Sequence, residues 1–384
     1  MRLLFVHNHY GVRSGEEIML ERIVSLLRQN GHEVNTHFAY SADIQSPGQK
    51  VQAALSGVWS QTARRALRDQ IAAHRPDLVQ VQNLFPLISP AILPVIRDAG
   101  VPIVMRLSNY RLICPNGLFL SRGSVCEKCR GGREYHCVVN NCEGSLFKSA
   151  SYALRNWSAR VMGLYRKSIS RYYAQTAFQR DVLIGEGYPA QRIDVIPNMI
   201  ETKSDAAAWS RGSYVGFVGR LSPEKGVDDL IAAAARLPDI PFRLAGSPGR
   251  FANDGAIPRN VRLMGHLDAE ALTRFYRDAA MIVVPSTWYE GFPSVIIEAM
   301  RNSKPVIASA IGGLPEIVQA GRTGLTPAPG DHHALSRAIH QLWRSPQTRQ
   351  RMGEAGARRV RSAYTPARYY NRLMATYEAA LEYA

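Results

Sequence analysis

Two carboxylates flank a short turn in TWYEGFPSVIIEAM (residues 287–300). Glu290 and Glu298 are separated by seven residues, with Gly-Phe-Pro-Ser just after the first. Pro293 and Ser294 are residue types that open helices. The backbone of Gly291, Phe292, Pro293 and Ser294 therefore reads as a helix N-terminus, whose free N–H groups suit a phosphate. Glu298, about one turn further in, is placed to accept hydroxyl hydrogen bonds from a ribose. Glu290, before the turn, can reach the group beyond the phosphates. Upstream, GFVGRLSPEKG (216–226) carries Arg220 and Lys225 on a glycine-rich loop. A guanidinium grips phosphate as a two-pronged fork and an ammonium acts as a point charge. In the first half, GVRSGEE (11–17) is a small-residue loop that opens a helix at Gly15 and offers further N–H groups. A ligand with a base, a ribose, phosphates and a polar head fits this spacing.

A second set of reactive side chains is confined to one segment. All five cysteines lie between Cys114 and Cys142, with Cys126 and Cys129 forming a C-x2-C pair. In a reducing compartment that spacing reads as metal before disulfide. Four thiolates make a closed structural zinc site, which would order an otherwise glycine-rich, polar excursion. An iron–sulfur cluster and free buried thiols are the alternatives.

The elements that must hold these groups follow a βαβ rhythm. Strands are expected at 3–6, 33–38, 77–82, 102–105 and 192–196, and an amphipathic helix spans 15–29 before Asn30-Gly31 stops it. A second series begins afresh with a strand at 214–218, a helix at 227–235 and strands at 242–245, 261–264, 281–284 and 306–308. Alternation of this kind implies α/β architecture with parallel, doubly wound sheets. Two Rossmann-like domains facing a central cleft follow from it: residues 1–200, with the cysteine-rich insertion at about 114–142, and residues 213–365. The polar segment 201–212 is the linker between them. A final helix in 366–384, rich in tyrosine, is expected to pack back on the first domain.

The 384 residues are too many for one ordinary core. The net charge is +16 and the pI is near 9.9. Nucleic acid, an anionic membrane face or a phosphorylated substrate would each be drawn to that field. No apolar run approaches the roughly 20 residues that span a bilayer, and the stretch in MRLLFVHNH is too short for a secretory signal. A cytoplasmic protein is expected. Residues 154–173 mix Arg155, Arg160, Arg166, Lys167 and Arg171 with Trp157, Val161, Leu164 and Tyr165. Read as one helix, they present a cationic face suited to an anionic membrane surface; a solvated basic face is the plain alternative.

Together these motifs resemble glycosyltransferase family 4, retaining nucleotide-sugar transferases of the GT-B fold. FVGRLSPEKGVDDLI is similar to that family's phosphate loop, and VPSTWYEGFPSVIIEAMRNSKPVIASAIGGLPEIV to its E-x7-E region. IPNMI (196–200) is similar to its junction into the second domain. The resemblance implies that Arg220 and Lys225 neutralise a leaving diphosphate and that Glu290 contacts the donor sugar. It implies that Glu298 holds the ribose and that the Gly291–Ser294 backbone holds the distal phosphate. No catalytic metal is expected, since no D-x-D motif is present. In RLSNYRLICPNG (106–117) relatives often have histidine where this chain has Ser108. Ser108, with Asn109, then positions the sugar, or the role has moved to His7 or His9. Relatives with this insertion place a cysteine before a G-S pair, as in NCEGS, so Cys114, Cys126, Cys129 and Cys142 are the implied zinc ligands; Cys137 or His136 could replace one. The expected enzyme transfers a sugar from a UDP- or GDP-sugar to a lipid-linked or polysaccharide acceptor on the inner face of the cytoplasmic membrane. A zinc-containing nucleic-acid-binding protein leaves Arg220, Lys225, Glu290 and Glu298 unexplained as a set, so no nucleic-acid partner is expected. A phosphorylase would need a pyridoxal phosphate lysine for which no context is evident.

Overall fold

The structure, a computed structural model, describes residues 1–11, 14–44, 46–201, 209–247, 249, 251 and 257–383. Val12 and Arg13 of the first glycine loop, most of the linker, and parts of the 246–250 loop lie outside the described residues. The chain forms two compact units. One comprises Met1–Arg122, Cys126–Pro197 and Tyr369–Ala384; the other comprises Gly123–Val125 and Asn198–Arg368.

The strands of the first unit are β1 (Arg2–His9), β2 (Glu33–Tyr40), β3 (Leu78–Val81) and β4 (Ile103–Arg106). Its last strands are β7 (Arg171–Ala174) and β8 (Ile193–Val195); between β4 and β7 the chain makes a small separate pairing of β5 (Leu120–Ser121) with β6 (Ser124–Val125). The main sheet is parallel in the order β2-β1-β3-β4-β7-β8. Leu3 to Val6, Leu78 to Val81 and Ile103 to Arg106 are buried throughout. Such unbroken burial, mostly of apolar residues and without in–out alternation, is what a sheet covered on both faces requires.

The second unit contains β9 (Tyr214–Val218), β10 (Phe242–Ala245), β11 (Val261–Gly265), β12 (Ala279–Val284), β13 (Val306–Ala308) and β14 (Gly324–Leu325). They are ordered β11-β10-β9-β12-β13-β14, again parallel. In each sheet the strand order reverses once, between β1 and β3 and between β9 and β12. Ligands of doubly wound sheets bind beyond the strand C-termini at such a reversal.

The helix Pro366–Leu381 shows how the chain returns. From Tyr369 onward it belongs to the first unit. Its Tyr377 hydroxyl donates to Gln80 Oε1. Gln80 Nε2 donates to the Tyr173 hydroxyl at 3.0 Å, which meets the Tyr369 hydroxyl at 3.3 Å. These buried polar groups satisfy one another, which offsets the cost of taking them out of water.

The basic stretch 154–173 is not one helix. A helix spans Leu146–Val161, Gly163 turns left-handed at φ +67°, a short helix covers Leu164–Ser168, and β7 follows. That left-handed backbone favours glycine, and the helix ends there. The cations scatter accordingly. Arg155 is 3% exposed, Arg160 pairs with Glu134 at 2.6 Å, Arg166 donates to the Glu186 carbonyl, and Arg171 pairs with Asp194 at 2.8 Å. Besides Lys148 and Arg160, the large side chains that the Leu146–Val161 helix exposes are apolar: Leu146, Phe147, Leu154, Trp157 and Val161. At 3.6 residues per turn these five fall within one stripe. Among the described residues no helix is long and apolar enough to cross a membrane.

Candidate functional site

Lys225 and Glu290 come from loops that follow adjacent strands, β9 and β12, at the reversal of the second sheet. The loop after β9 passes so close to the end of β12 that a side chain at Gly226 would meet the Pro285 carbonyl oxygen at 1.8 Å. Gly226 also has φ +69°. Glycine is required on both counts. Thr287 N–H donates to the Glu224 carbonyl at 3.0 Å and ties the two loops together.

The result is a buried ion pair, Lys225 Nζ to Glu290 Oε1 at 2.7 Å. The same oxygen accepts from Ser286 Oγ at 2.7 Å and Trp288 Nε1 at 3.0 Å. Burial alone would raise the Glu290 pKa, but the Lys225 charge and these donors outweigh it and hold the carboxyl below its usual range. Glu290 is thus an anion held by Lys225, Ser286 and Trp288 from two loops of its own unit. The Lys225 ammonium remains partly open to solvent and lies 5.3 Å from the centre of the Trp288 ring.

Beyond Glu290 the helix Ser294–Arg301 starts with Pro293 at its N-cap position and no side-chain cap. Its first N–H groups are therefore left without a side-chain acceptor from that residue, as an anion site needs. Phe292 is buried, while Gly291, Pro293 and Ser294 are half-buried. Glu298 is half-buried, and its Oε2 accepts from the Tyr276 hydroxyl at 2.7 Å. Burial and the Glu298 charge push the Tyr276 pKa well up, so it stays a donor. Arg220 stands apart: its side chain is 70% exposed and reaches Glu224 Oε1 at 3.1 Å. Ser286, Trp288 and Tyr276 escaped the sequence reading. The first two are neighbours of Glu290 in the chain and could have been suspected; Tyr276 comes from another helix and had no local signal.

In the first unit, Gly15 begins the helix Gly15–Gln29. Glu17, buried in its first turn, accepts from Tyr10 N–H and Ser14 N–H, both at 2.7 Å, and staples the loop. Donor atoms of His7, His9 and Glu17 all lie within 4.8 Å of one another. With both carboxylate oxygens already engaged and the Arg106 charge bearing on His7, the trio serves the loop better than a cation. Ser108 and Asn109 line a cleft with Glu16, Arg106 and Arg111. Ser108 Oγ accepts from the Arg106 guanidinium at 2.8 Å, and Asn109 Oδ1 from Arg111 N–H at 2.9 Å. His7 is fully buried, and His9 lines a different hollow with Phe38 and Arg28.

The five cysteines are all free thiols. Cys129, Cys137 and Cys142 pack into one cluster with Ala153, and Cys129 donates to Cys114. That hydrogen bond lowers the Cys114 pKa and raises that of Cys129. Asn140 Nδ2 approaches Cys126 Sγ at 3.9 Å. His136 stacks on Tyr135 with ring centres 4.3 Å apart. The cysteines thus share one region, but among the described residues no three of their sulfurs converge closely enough to hold a metal ion, so the expected set Cys114, Cys126, Cys129 and Cys142 is not drawn together here.

Two family models match in tandem. A glycosyl transferase 4-like domain covers residues 14–199, and glycosyl transferases group 1 covers residues 200–359. The chain belongs to the GT4-type glycosyltransferases. Glycogen synthase of Mycobacterium tuberculosis is 32% identical over 231 residues, 56% of this chain and 53% of that protein. D-inositol 3-phosphate glycosyltransferase of a Mycobacterium species is 35% identical over 186 residues, 42% of each. The chain thus aligns with about half the length of these curated relatives. HepE of Anabaena, solved with UDP and glucose, superposes with a TM-score of 0.68 at 18% identity, covering 99% of this chain and all of that one. That likeness shows the GT-B fold.

Proposed function

We propose that this glycosyltransferase transfers a sugar, with retention of configuration, from a nucleotide-sugar to an acceptor in cell-surface glycan synthesis. The observation that carries the reading is the Lys225–Glu290 pair at the β9/β12 reversal, beside the uncapped N-terminus of Ser294–Arg301. Lys225, assisted by Arg220 swinging from its exposed position, neutralises charge as the diphosphate leaves. The helix N-terminus receives the distal phosphate and Glu298 the ribose hydroxyls. Glu290 faces the donor sugar, where an anion stabilises an oxocarbenium-like centre. The leaving phosphate takes the acceptor proton on the same face, so neither a covalent nucleophile nor a catalytic metal is needed. HepE, crystallised with UDP and glucose, supports UDP ahead of GDP as the carrier.

The acceptor, in this reading, is lipid-linked or a growing polysaccharide met at the inner face of the cytoplasmic membrane. The scatter of the five cations shifts the membrane contact from charge to the apolar stripe of Leu146–Val161. We also propose that a structural zinc ion orders the insertion, held by Cys114, Cys126, Cys129 and Cys142, with Cys137 or His136 able to replace one; binding would require these side chains to draw together. Bound there, zinc would order the insertion and take no part in the chemistry. The test is release of UDP or GDP from a panel of sugar nucleotides, with transfer scored on lipid-linked and oligosaccharide acceptors. Lys225→Ala should lower turnover by about 100-fold or more, as loss of one transition-state charge partner does. Near-normal turnover in that variant would overturn the assignment.

A further inference from the structure

The first unit buries positive charge beyond what the carboxylate lining its cleft can offset. The cleft lies beyond the C-terminal ends of β1, β3 and β4, at the strand reversal, and Glu16, Gln82, Asn83, Arg106, Ser108 and Arg111 line it. Arg106 is 2% exposed, and its guanidinium donates to the neutral oxygens of Gln82 at 3.3 Å and Ser108 at 2.8 Å. Arg111 donates to Asn83 Oδ1 at 2.7 Å. Its Nε is buried without a hydrogen-bond partner, as is Gln82 Nε2. Arg155, behind them, lies 3.5 Å from the centre of the Phe85 ring and donates to the Pro115 carbonyl at 2.8 Å. Burial and the neighbouring Arg111 charge bring its pKa down to about 9.

Glu16 is the carboxylate on the cleft wall. Its Oε2 accepts from the Tyr10 hydroxyl at 2.9 Å, while Oε1 is buried and has no partner. A buried donor left without an acceptor is costly, and an unmatched buried charge costs more. Two such N–H donors, two guanidinium groups and one open carboxylate oxygen on one wall are complementary to a specific chemistry. The cations and amide suit a phosphate oxygen cluster, and the carboxylate suits a hydroxyl beside it.

We propose that this cleft binds the phosphate group of a phosphorylated, hydroxyl-bearing acceptor, with Arg106, Arg111 and Gln82 as its ligands. The proposal rests on the reading that the first unit takes the acceptor. It narrows that acceptor to compounds carrying a phosphate near the receiving hydroxyl. Glu16 then contacts a hydroxyl, and Arg155 adds long-range positive potential from behind the wall.

The test is titration of the full chain with inorganic phosphate and with glycerol 1-phosphate, each followed by 31P line broadening and by thermal stabilisation. The donor site is kept saturated with UDP, whose own binding is measured separately. Saturable binding is expected for both probes, weakened about tenfold or more in Arg111→Gln and Gln82→Leu, as loss of a charge-assisted bond implies, and less in Arg111→Lys. UDP affinity should be unchanged in all three. Should Arg111→Gln fail to fold, Gln82→Leu and Arg111→Lys carry the comparison. Vesicles containing phosphatidic acid form a second arm: competition with glycerol 1-phosphate assigns the phosphate to a lipid headgroup, and its absence to a soluble acceptor. Absence of phosphate binding with UDP bound overturns the proposal but leaves the donor assignment standing. So does phosphate binding that the Arg111 and Gln82 variants leave intact. Failure of UDP to bind would strike the donor reading instead.

Discussion

Replacing His7 tests whether the sheet's switch point stores a proton-linked instability. His7 is fully buried at the end of β1, with neither ring nitrogen partnered. Burial, then the charge of His9, lower its pKa from 6.5 to about 3, with Arg106 adding to the effect and Glu17 opposing it. The unfolded chain therefore binds a proton below about pH 6.5 that the folded chain refuses until about pH 3. Stability contributed by the neutral ring is complete above the unfolded value and is lost as pH falls through that window. At 1.36 kcal/mol per pH unit, the loss between about pH 6.5 and about pH 5 is about 2 kcal/mol. His7→Leu abolishes the proton site and forfeits no hydrogen bond. Urea unfolding of both proteins, at about pH 7.5 and about pH 5, gives the difference directly. Wild type should lose about 2 kcal/mol relative to the variant on acidification. A wild-type-minus-variant difference that stays constant across the two pH values would refute the argument, because His7 would then titrate equally in both states.

Two further outcomes concern the insertion and the exposed helix. Purified protein should hold about one zinc per chain, and Cys129→Ser should release it and destabilise the first unit; metal analysis finding neither zinc nor iron under reducing conditions would end the zinc reading. Each large apolar side chain that a bilayer covers contributes about 1.5–3 kcal/mol, so Trp157→Asp with Val161→Asp should abolish sedimentation with vesicles. Charge reversal at Arg160 and Lys167 should matter much less, since Arg160 is committed to Glu134; the opposite ranking would restore the cationic face as the membrane contact.

Much of this architecture is written in local signals. The strand Tyr214–Val218, the helix Val227–Ala235 and the strands Phe242–Ala245 and Val306–Ala308 end where the apolar runs and their flanking glycines and prolines end. The residues proposed for the donor side could be picked out for the same reason, because turn chemistry and helix-opening residues are properties of short segments. Residues 154–173 show the limit. Helical spacing grouped five cations on one face, but Gly163 broke the helix. Tertiary partners far along the chain, Glu134, Glu186 and Asp194, then claimed three of them. Periodicity records only that two kinds of side chain segregate; which kind faces water depends on what else packs there.

The sequence by itself determined the alternating α/β order, the carboxylates about a helix N-terminus, and the crowding of cysteine into one insertion. Only the tertiary structure decided that Glu290 would be an anion, because Lys225, Ser286 and Trp288 converge on it from two loops brought together at Gly226. It likewise decided that Tyr276 would hold Glu298, and that Arg106 and Arg111 would share a cleft with Glu16. The physical reason is common to all three. A charge or hydrogen bond acts over a few ångströms of space, and no spacing along a chain reveals which distant residues will stand within that reach.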